Sequence, residues 1–249
     1  AQQTTDLLHR LKLPAMADAL DEQRRLPDIV SLDFEDRLAL LLEREHVARE
    51  NRRLTRLLQL ARLRHSACLE DVNFRVKRGL DKAQLLRLAT GEWIAHHGVL
   101  LITGPTGTGK SWLACALGHS ACRHGYTVRY LRLPRLLPDL AIARSDGTYG
   151  KVLAQLGKAD LLILDDWGLA PIGDRERRDL LEMIEDRTGR RATLLTSQVP
   201  VEHWHEGVGD ATFGDAIMDR LVHHAHRITL TGGSLRKLGT TTSSDTASS

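Results

Sequence analysis

Gly104-Pro-Thr-Gly-Thr-Gly-Lys-Ser111 is the stretch on which the fold turns. It matches GxxxxGK(S/T) in full, with the apolar run Val99–Thr103 before it and an amphipathic stretch, Lys110–His124, after it. That spacing has a physical reason. Gly104, Gly107 and Gly109 let the backbone bend so that successive N–H groups converge on phosphate oxygens. A helix beginning near Gly109 adds the positive end of its dipole. Lys110 neutralises charge on the β- and γ-phosphates, and the Ser111 hydroxyl is a ligand for Mg²⁺. The nucleotide-binding segment is therefore expected to comprise Gly104, Pro105, Thr106, Gly107, Thr108, Gly109, Lys110, Ser111 and Trp112. An accidental Gly-rich turn is the competing explanation, and the strand–loop–helix context argues against it.

Outward from this loop the pattern is one of short apolar runs alternating with helical stretches. Val99–Thr103, Thr127–Leu131, Asp160–Asp165, Ala192–Thr196 and His226–Leu230 read as five strands, mostly apolar on both faces, as a parallel sheet covered on two sides requires. Helices are expected at Lys110–His124, Arg135–Arg144, Gly147–Leu156, Asp174–Thr188 and Gly214–Ala225. This βαβ succession predicts a doubly wound α/β domain. The third run, Leu161-Leu-Ile-Leu-Asp165-Asp166, places an acid at the carboxyl end of a buried strand, where such sheets bind ligands. Asp165 is the candidate to hold the Mg²⁺ and Asp166 the candidate to orient or deprotonate a water. A helix N-cap pair is the alternative for these two acids. No NKxD segment is present, which favours ATP over GTP.

Residues 1–97 contain no convincing strand. Helix-like stretches run over Thr4–Gln23, Asp33–Leu63 and Lys82–His96, and Asp33 with Asp36 resembles a helix start. Leu54, Leu57, Leu58 and Ala61 follow i, i+3, i+4, i+7 on one face, while Arg49, Arg52, Arg53 and Arg56 repeat that spacing on another. The 249 residues suffice for one α/β domain plus a small helical one, with divisions expected at 1–78 (helical), 79–238 (nucleotide-binding) and 239–249 (a disordered Ser/Thr-rich tail). A formal net charge of +3 is compatible with nucleic acid and does not establish it. No apolar run of about 18 residues exists, so no membrane span is expected. Three cysteines without a CxxC pair suit reduced thiols in a cytoplasmic protein.

Taken in order, several segments resemble one family. The phosphate loop is followed by Ser111-Trp-Leu-Ala-Cys-Ala-Leu117, then Leu164-Asp-Asp-Trp-Gly-Leu169 and Leu195-Thr-Ser-Gln198. His203-Trp204-His205 and Asp219-Arg-Leu-Val-His223 come next, and Leu38-Ala-Leu-Leu-Leu-Glu-Arg-Glu45 lies upstream. Together they resemble the IstB-like transposition helper ATPases of bacterial insertion sequences, from about Leu7 to Lys237. The DnaC-type helicase loaders share the core and are more distant. The resemblance implies an AAA+ ATPase that assembles as a homo-oligomer on duplex DNA with ATP and activates a partner transposase. It puts the polar sensor on Thr196 or Ser197, with Gln198 beside it, and Ser197 is taken as the catalytic candidate. It further implies an arginine finger at Arg220, reaching a neighbouring subunit's nucleotide, and a second arginine sensor at Arg236. With 19 residues after Leu230, a minimal helical lid or none is expected.

The arginines at 49, 52, 53 and 56 suit salt-dependent phosphate contact, and a merely solvated face is the alternative. Arg132, Arg135, Tyr149 and Lys151, around and beyond the second strand, are further DNA-contact candidates carried over from the resemblance. A helicase loader and a non-hydrolytic ATP-switch scaffold are the other functions that fit such a core.

Overall fold

A computed structural model describes residues 2–235 of the chain. By their contacts, residues 1–56 and 57–249 form two compact units. The division falls inside one long helix.

The first unit is helical. Helices α1 (Gln2–Arg10) and α2 (Pro14–Arg25) replace the single helix expected over Thr4–Gln23. The break has a local cause: Lys12 takes a left-handed φ of 59°, and Pro14 disfavours helical backbone in the residue before it. Helix α3 (Phe34–Ala61) follows, with the Asp33 carboxylate accepting from the Asp36 amide at 2.8 Å, as the start signal predicts. Met16, Ala19 and Leu41 form the small core, with Leu8, Leu13, Leu20 and Leu38 against it.

One buried carboxylate organises this unit. Glu45 accepts from the Met16 amide (3.2 Å), Arg49 Nε (2.9 Å) and Arg52 Nη2 (3.0 Å). Burial alone would raise its pKa, but the Arg49 and Met16 hydrogen bonds and the Arg49 and Arg52 charges outweigh it and hold the carboxyl below its ordinary 4.5. A depressed carboxyl pKa stabilises the fold above the unfolded-state value, and that contribution is lost as pH falls through the folded-state value. Amide exchange in α2 and α3 is therefore expected to speed up as pH drops below about 4.5, relative to its intrinsic rate, and Glu45→Gln should flatten the dependence. An unchanged pH profile in Glu45→Gln would rule this account out.

The second unit is the α/β domain. After α4 (Lys82–Ala89) and α5 (Glu92–Ala95), five strands alternate with helices: β1 (Val99–Thr103), β2 (Val128–Arg132), β3 (Leu161–Trp167), β4 (Ala192–Ser197) and β5 (His226–Thr229). The helices between them are α6 (Lys110–Arg123), α7 (Leu133–Ser145), α8 (Tyr149–Lys158), α9 (Asp174–Arg187), α10 (Trp204–Val208) and α11 (Ala211–Val222). The sheet order is β2-β3-β4-β1-β5 and every pairing is parallel. The expected five-stranded parallel sheet is present, with β3 and β4 completely enclosed except at Asp166. The stretch expected as one helix over Lys82–His96 breaks at Gly91, whose φ of 77° ends α4 and opens α5. Helix α11 starts three residues earlier than expected because Asp210 caps it, accepting from the Phe213 amide at 3.0 Å.

Trp167 and Trp204 lie with ring centroids 5.2 Å apart under the end of β3, both buried. Arg187, only 1% exposed, donates to the carbonyls of Leu156 (2.6 Å), Ala159 (2.9 Å) and Ala192 and to Thr193 Oγ1 (3.2 Å). Burial pushes its pKa down to about 10.

Candidate nucleotide-binding site

The loop between β1 and α6 has the backbone its glycines predict. Gly104, Gly107 and Gly109 have φ values of 146°, 85° and 94°. The loop is also closely covered. A Cβ on Gly104 would lie 2.2 Å from the Leu230 carbonyl oxygen, and one on Gly107 would lie 2.3 Å from Ser234 Oγ. The Leu235 amide donates to the Gly107 carbonyl at 2.9 Å. Residues 230–235 after β5 are thus fastened along the phosphate loop.

Lys110 is buried and turns back into the loop, donating to the carbonyls of Gly104 (2.6 Å) and Pro105 (2.9 Å). Burial pushes its pKa down, with Asp165 and Asp166 opposing the shift. Thr108 is fully buried and its hydroxyl donates to the Pro105 carbonyl (2.9 Å), while Thr106 Oγ1 donates to Gln198 Oε1 (2.6 Å).

The two acids owe their positions to a bulge. Leu164 pairs with Leu195 and Trp167 with Ser197, so β3 carries one residue more than β4 across this step. Asp166 absorbs the difference with a left-handed φ of 66°, uncommon outside glycine and tolerated by Asp. Asp165 turns inward and is 0% exposed. Its Oδ1 accepts from Ser111 Oγ (2.8 Å) and from Thr196 Oγ1, and its Oδ2 accepts from Tyr130. The Thr196 hydroxyl also accepts from the Asp166 amide at 3.2 Å, so one side chain touches both acids. Asp166 faces the cleft and is bound by Arg132 through Nε (2.8 Å) and Nη2 (2.7 Å).

A cleft of ≈ 590 Å³ opens over these groups, lined by Thr106, Gly107, Gly109, Lys110, Ser111, Trp112, Arg132, Asp166 and Gln198. Amides at a helix N-terminus, a lysine and a hydroxyl–carboxylate pair suit a nucleoside triphosphate with a hard divalent cation, because such cations take oxygen ligands. Ser111 Oγ and Asp165 Oδ1, 2.8 Å apart, are the oxygens that could hold the cation.

Other expected residues lie differently. Ser197 does not reach the cleft: its hydroxyl donates to the Trp167 carbonyl (2.8 Å) and accepts from the Val199 amide (3.0 Å), while Gln198 is the member of the trio on the phosphate loop. Arg220 pairs within the chain, with Glu185 at 2.6 Å, and neither it nor Glu185 lines the cleft. Arg132 is engaged by Asp166. Tyr149 donates to Asp179 (3.0 Å) and Glu182 (2.8 Å) under the Arg144 guanidinium. Arg135 and Lys151 are exposed. On α3, Arg49 and Arg52 hold Glu45, Arg53 lies 3.9 Å from Glu50, and Arg56 is exposed. Arg236 and the expected tail, 239–249, lie outside the described residues.

The cleft's other wall was not foreseen. Arg64, His65, Asp71, Asn73, Val76 and Arg78 line it, from a segment with no regular periodicity. Within it, Arg78 is buried against the loop and donates to the Thr108 carbonyl at 3.4 Å, a contact that no feature of the sequence announces.

Among solved structures, the chain is similar to DnaI (TM-score 0.58, 21% identity, covering 67% of this chain and 92% of that one) and to the DnaC helicase loader (TM-score 0.51, 17% identity, 59% and 86%). At these identities the likeness is one of fold. Among curated sequences it is 52% identical over 237 residues to a Sinorhizobium fredii protein whose name describes an insertion sequence ATP-binding protein, y4pL, covering 95% of this chain and 97% of that one. It is 55% identical over 200 residues to the ATP-binding protein of insertion sequence IS1162 from Pseudomonas fluorescens, covering 80% and 87%. The family described as IstB-like ATP binding protein matches residues 6–243, and the chain belongs to it.

Proposed function

We propose that this protein is an ATP-hydrolysing helper of insertion-sequence transposition, which assembles on duplex DNA with ATP and Mg²⁺ and engages the transposase of the same element. The observation that carries the ATPase part is the Ser111–Asp165 oxygen pair beside Lys110, with Asp166 next in chain at the mouth of the same cleft. In this reading Lys110 holds the β- and γ-phosphates, and Ser111 and Asp165 hold the cation. Bound there, Mg²⁺ supplies charge neutralisation of the phosphates. Asp166 orients the attacking water once Arg132 releases it. Arg220, set free from Glu185, serves the nucleotide of a neighbouring copy, and Arg236 belongs to the same set. Thr196, bridging both acids, and Gln198, on the phosphate loop, are better placed than Ser197 to sense the nucleotide.

The helical unit of residues 1–56 serves assembly and DNA or partner contact, through Arg49, Arg52, Arg53 and Arg56. Arg132, Arg135, Tyr149 and Lys151 are the DNA-facing candidates on the second unit. Action in the bacterial cytoplasm accords with the absence, among the described residues, of a helix long and apolar enough to cross a membrane.

Phosphate release measured against protein concentration, with and without duplex DNA, tests this reading. Turnover per chain should rise with concentration and with duplex. Arg220→Ala should lower it by about 10³-fold while ATP binding stays within about threefold, the scale expected of an arginine finger. Concentration-independent turnover that survives Arg220→Ala would sink the assembly, and stronger stimulation by single-stranded DNA would favour a helicase-loader role.

A further inference from the structure

Asp165 carries more partners than a cation ligand needs. Besides Ser111, Thr196 and Tyr130, its Oδ2 lies 3.8 Å from Arg64 Nη1. That distance is too long for a hydrogen bond and close enough for charge pairing. The guanidinium is 40% exposed and lines the nucleotide cleft, while the carboxylate is wholly buried. A buried carboxylate needs a compensating charge, and Arg64 is the nearest cation paired to it.

The place of Arg64 in the chain is as telling as its contact. It stands three residues beyond the end of α3. Between them Arg62 takes a left-handed φ of 51°, which turns the chain sharply. The last turn of α3 is held separately, by Arg129 Nη1 donating to the Leu60 carbonyl at 3.0 Å from β2. Residues 60–64 thus form a short strap, pinned to the sheet at one end and laid against the metal-binding candidate at the other.

We propose that Arg64 is a placeholder cation: it neutralises Asp165 while the site is empty, yields the carboxylate when a metal–nucleotide complex binds, and so reports the state of the site to the end of α3. A guanidinium and a divalent cation repel at this range, and both are drawn to the same buried carboxylate. The long, partly solvated arginine can leave, whereas Ser111, Thr196 and Tyr130 are held in place by the elements that carry them. Arg64 lines the cleft and is partly exposed, so on leaving Asp165 it can swing out into solvent.

The inference rests on Asp165 being a metal ligand, and the test separates the two. Mn²⁺ affinity is measured by electron paramagnetic resonance with a non-hydrolysable ATP analogue present, on the full chain, for wild type, Arg64→Gln and Arg64→Lys. Arg64→Gln should bind Mn²⁺ about five- to tenfold more tightly, an ordinary size for coupling between sites, while Arg64→Lys stays near wild type. Hydrogen exchange gives the second readout. Wild-type amides over 60–66 should exchange several-fold faster once Mn²⁺ and analogue are added, and those of Arg64→Gln should be fast beforehand and respond less than twofold. Equal Mn²⁺ affinity in wild type and Arg64→Gln, or unmoved wild-type amides, overturns the placeholder and leaves the metal site standing. Failure of every variant to bind Mn²⁺ with the analogue removes the metal site and the inference with it.

Discussion

Lys110→Ala is expected to weaken ATP binding at least tenfold and to lower hydrolysis by about 10²- to 10³-fold, a barrier increase of about 3–4 kcal/mol. Two losses combine. The ammonium is the loop's own charge for the phosphates. It is also the donor that ties the carbonyls of Gly104 and Pro105 together, at 2.6 and 2.9 Å. Without it those carbonyls point into the phosphate site unpaired, and the loop has no internal reason to keep its curl. Lys110→Arg separates the two effects: it keeps the charge, but its planar fork is too large for a position only 7% exposed. Titration of a fluorescent ATP analogue, alongside phosphate release, distinguishes them. Binding within threefold of wild type in Lys110→Ala would mean that the amides alone hold the phosphates.

Arg187→Met should destabilise the α/β domain by about 3–5 kcal/mol, the scale for removing one partner of a buried charged network. Three carbonyls and a hydroxyl converge on this guanidinium from the end of α8, the turn into β3 and the start of β4. Each carbonyl left without a donor costs about 1–3 kcal/mol where water cannot enter. Against a typical total of about 5–15 kcal/mol, such a loss endangers folding at 37 °C. Arg187→Lys keeps the charge with three donors on a single nitrogen, and should recover part of the loss. Urea denaturation of the three proteins measures it, and a change below about 1 kcal/mol in Arg187→Met would show that the carbonyls find other donors.

Arg187 also marks where sequence reading reaches its limit. The sheet was legible because burial on both faces makes β1, β3 and β4 apolar runs that nothing else explains. The phosphate loop was legible because its chemistry fixes residue types at fixed spacing. Pairings across thirty or more residues leave no such trace. Nothing near Arg132 announces Asp166, nothing near Arg220 announces Glu185, and Tyr149 looks solvent-facing until Asp179 and Glu182 are beside it. Boundaries failed where one residue's backbone overrode a helical pattern, at Lys12 before Pro14 and at Gly91. The bulge at Asp165–Asp166 was hidden for a different reason: it follows directly on the apolar run Leu161–Leu164 with no glycine to mark it, and only the register against β4 exposes it. The wall from Arg64 to Arg78 escaped because irregular segments have no period to detect.

The strap after β5 has a mechanical consequence. Leu235 is hydrogen-bonded to Gly107, and Leu230 and Ser234 leave no room for a side chain at Gly104 or Gly107. A pull or a bulky group applied at Leu235 itself therefore reaches the phosphate loop directly, through one hydrogen bond and two close van der Waals contacts.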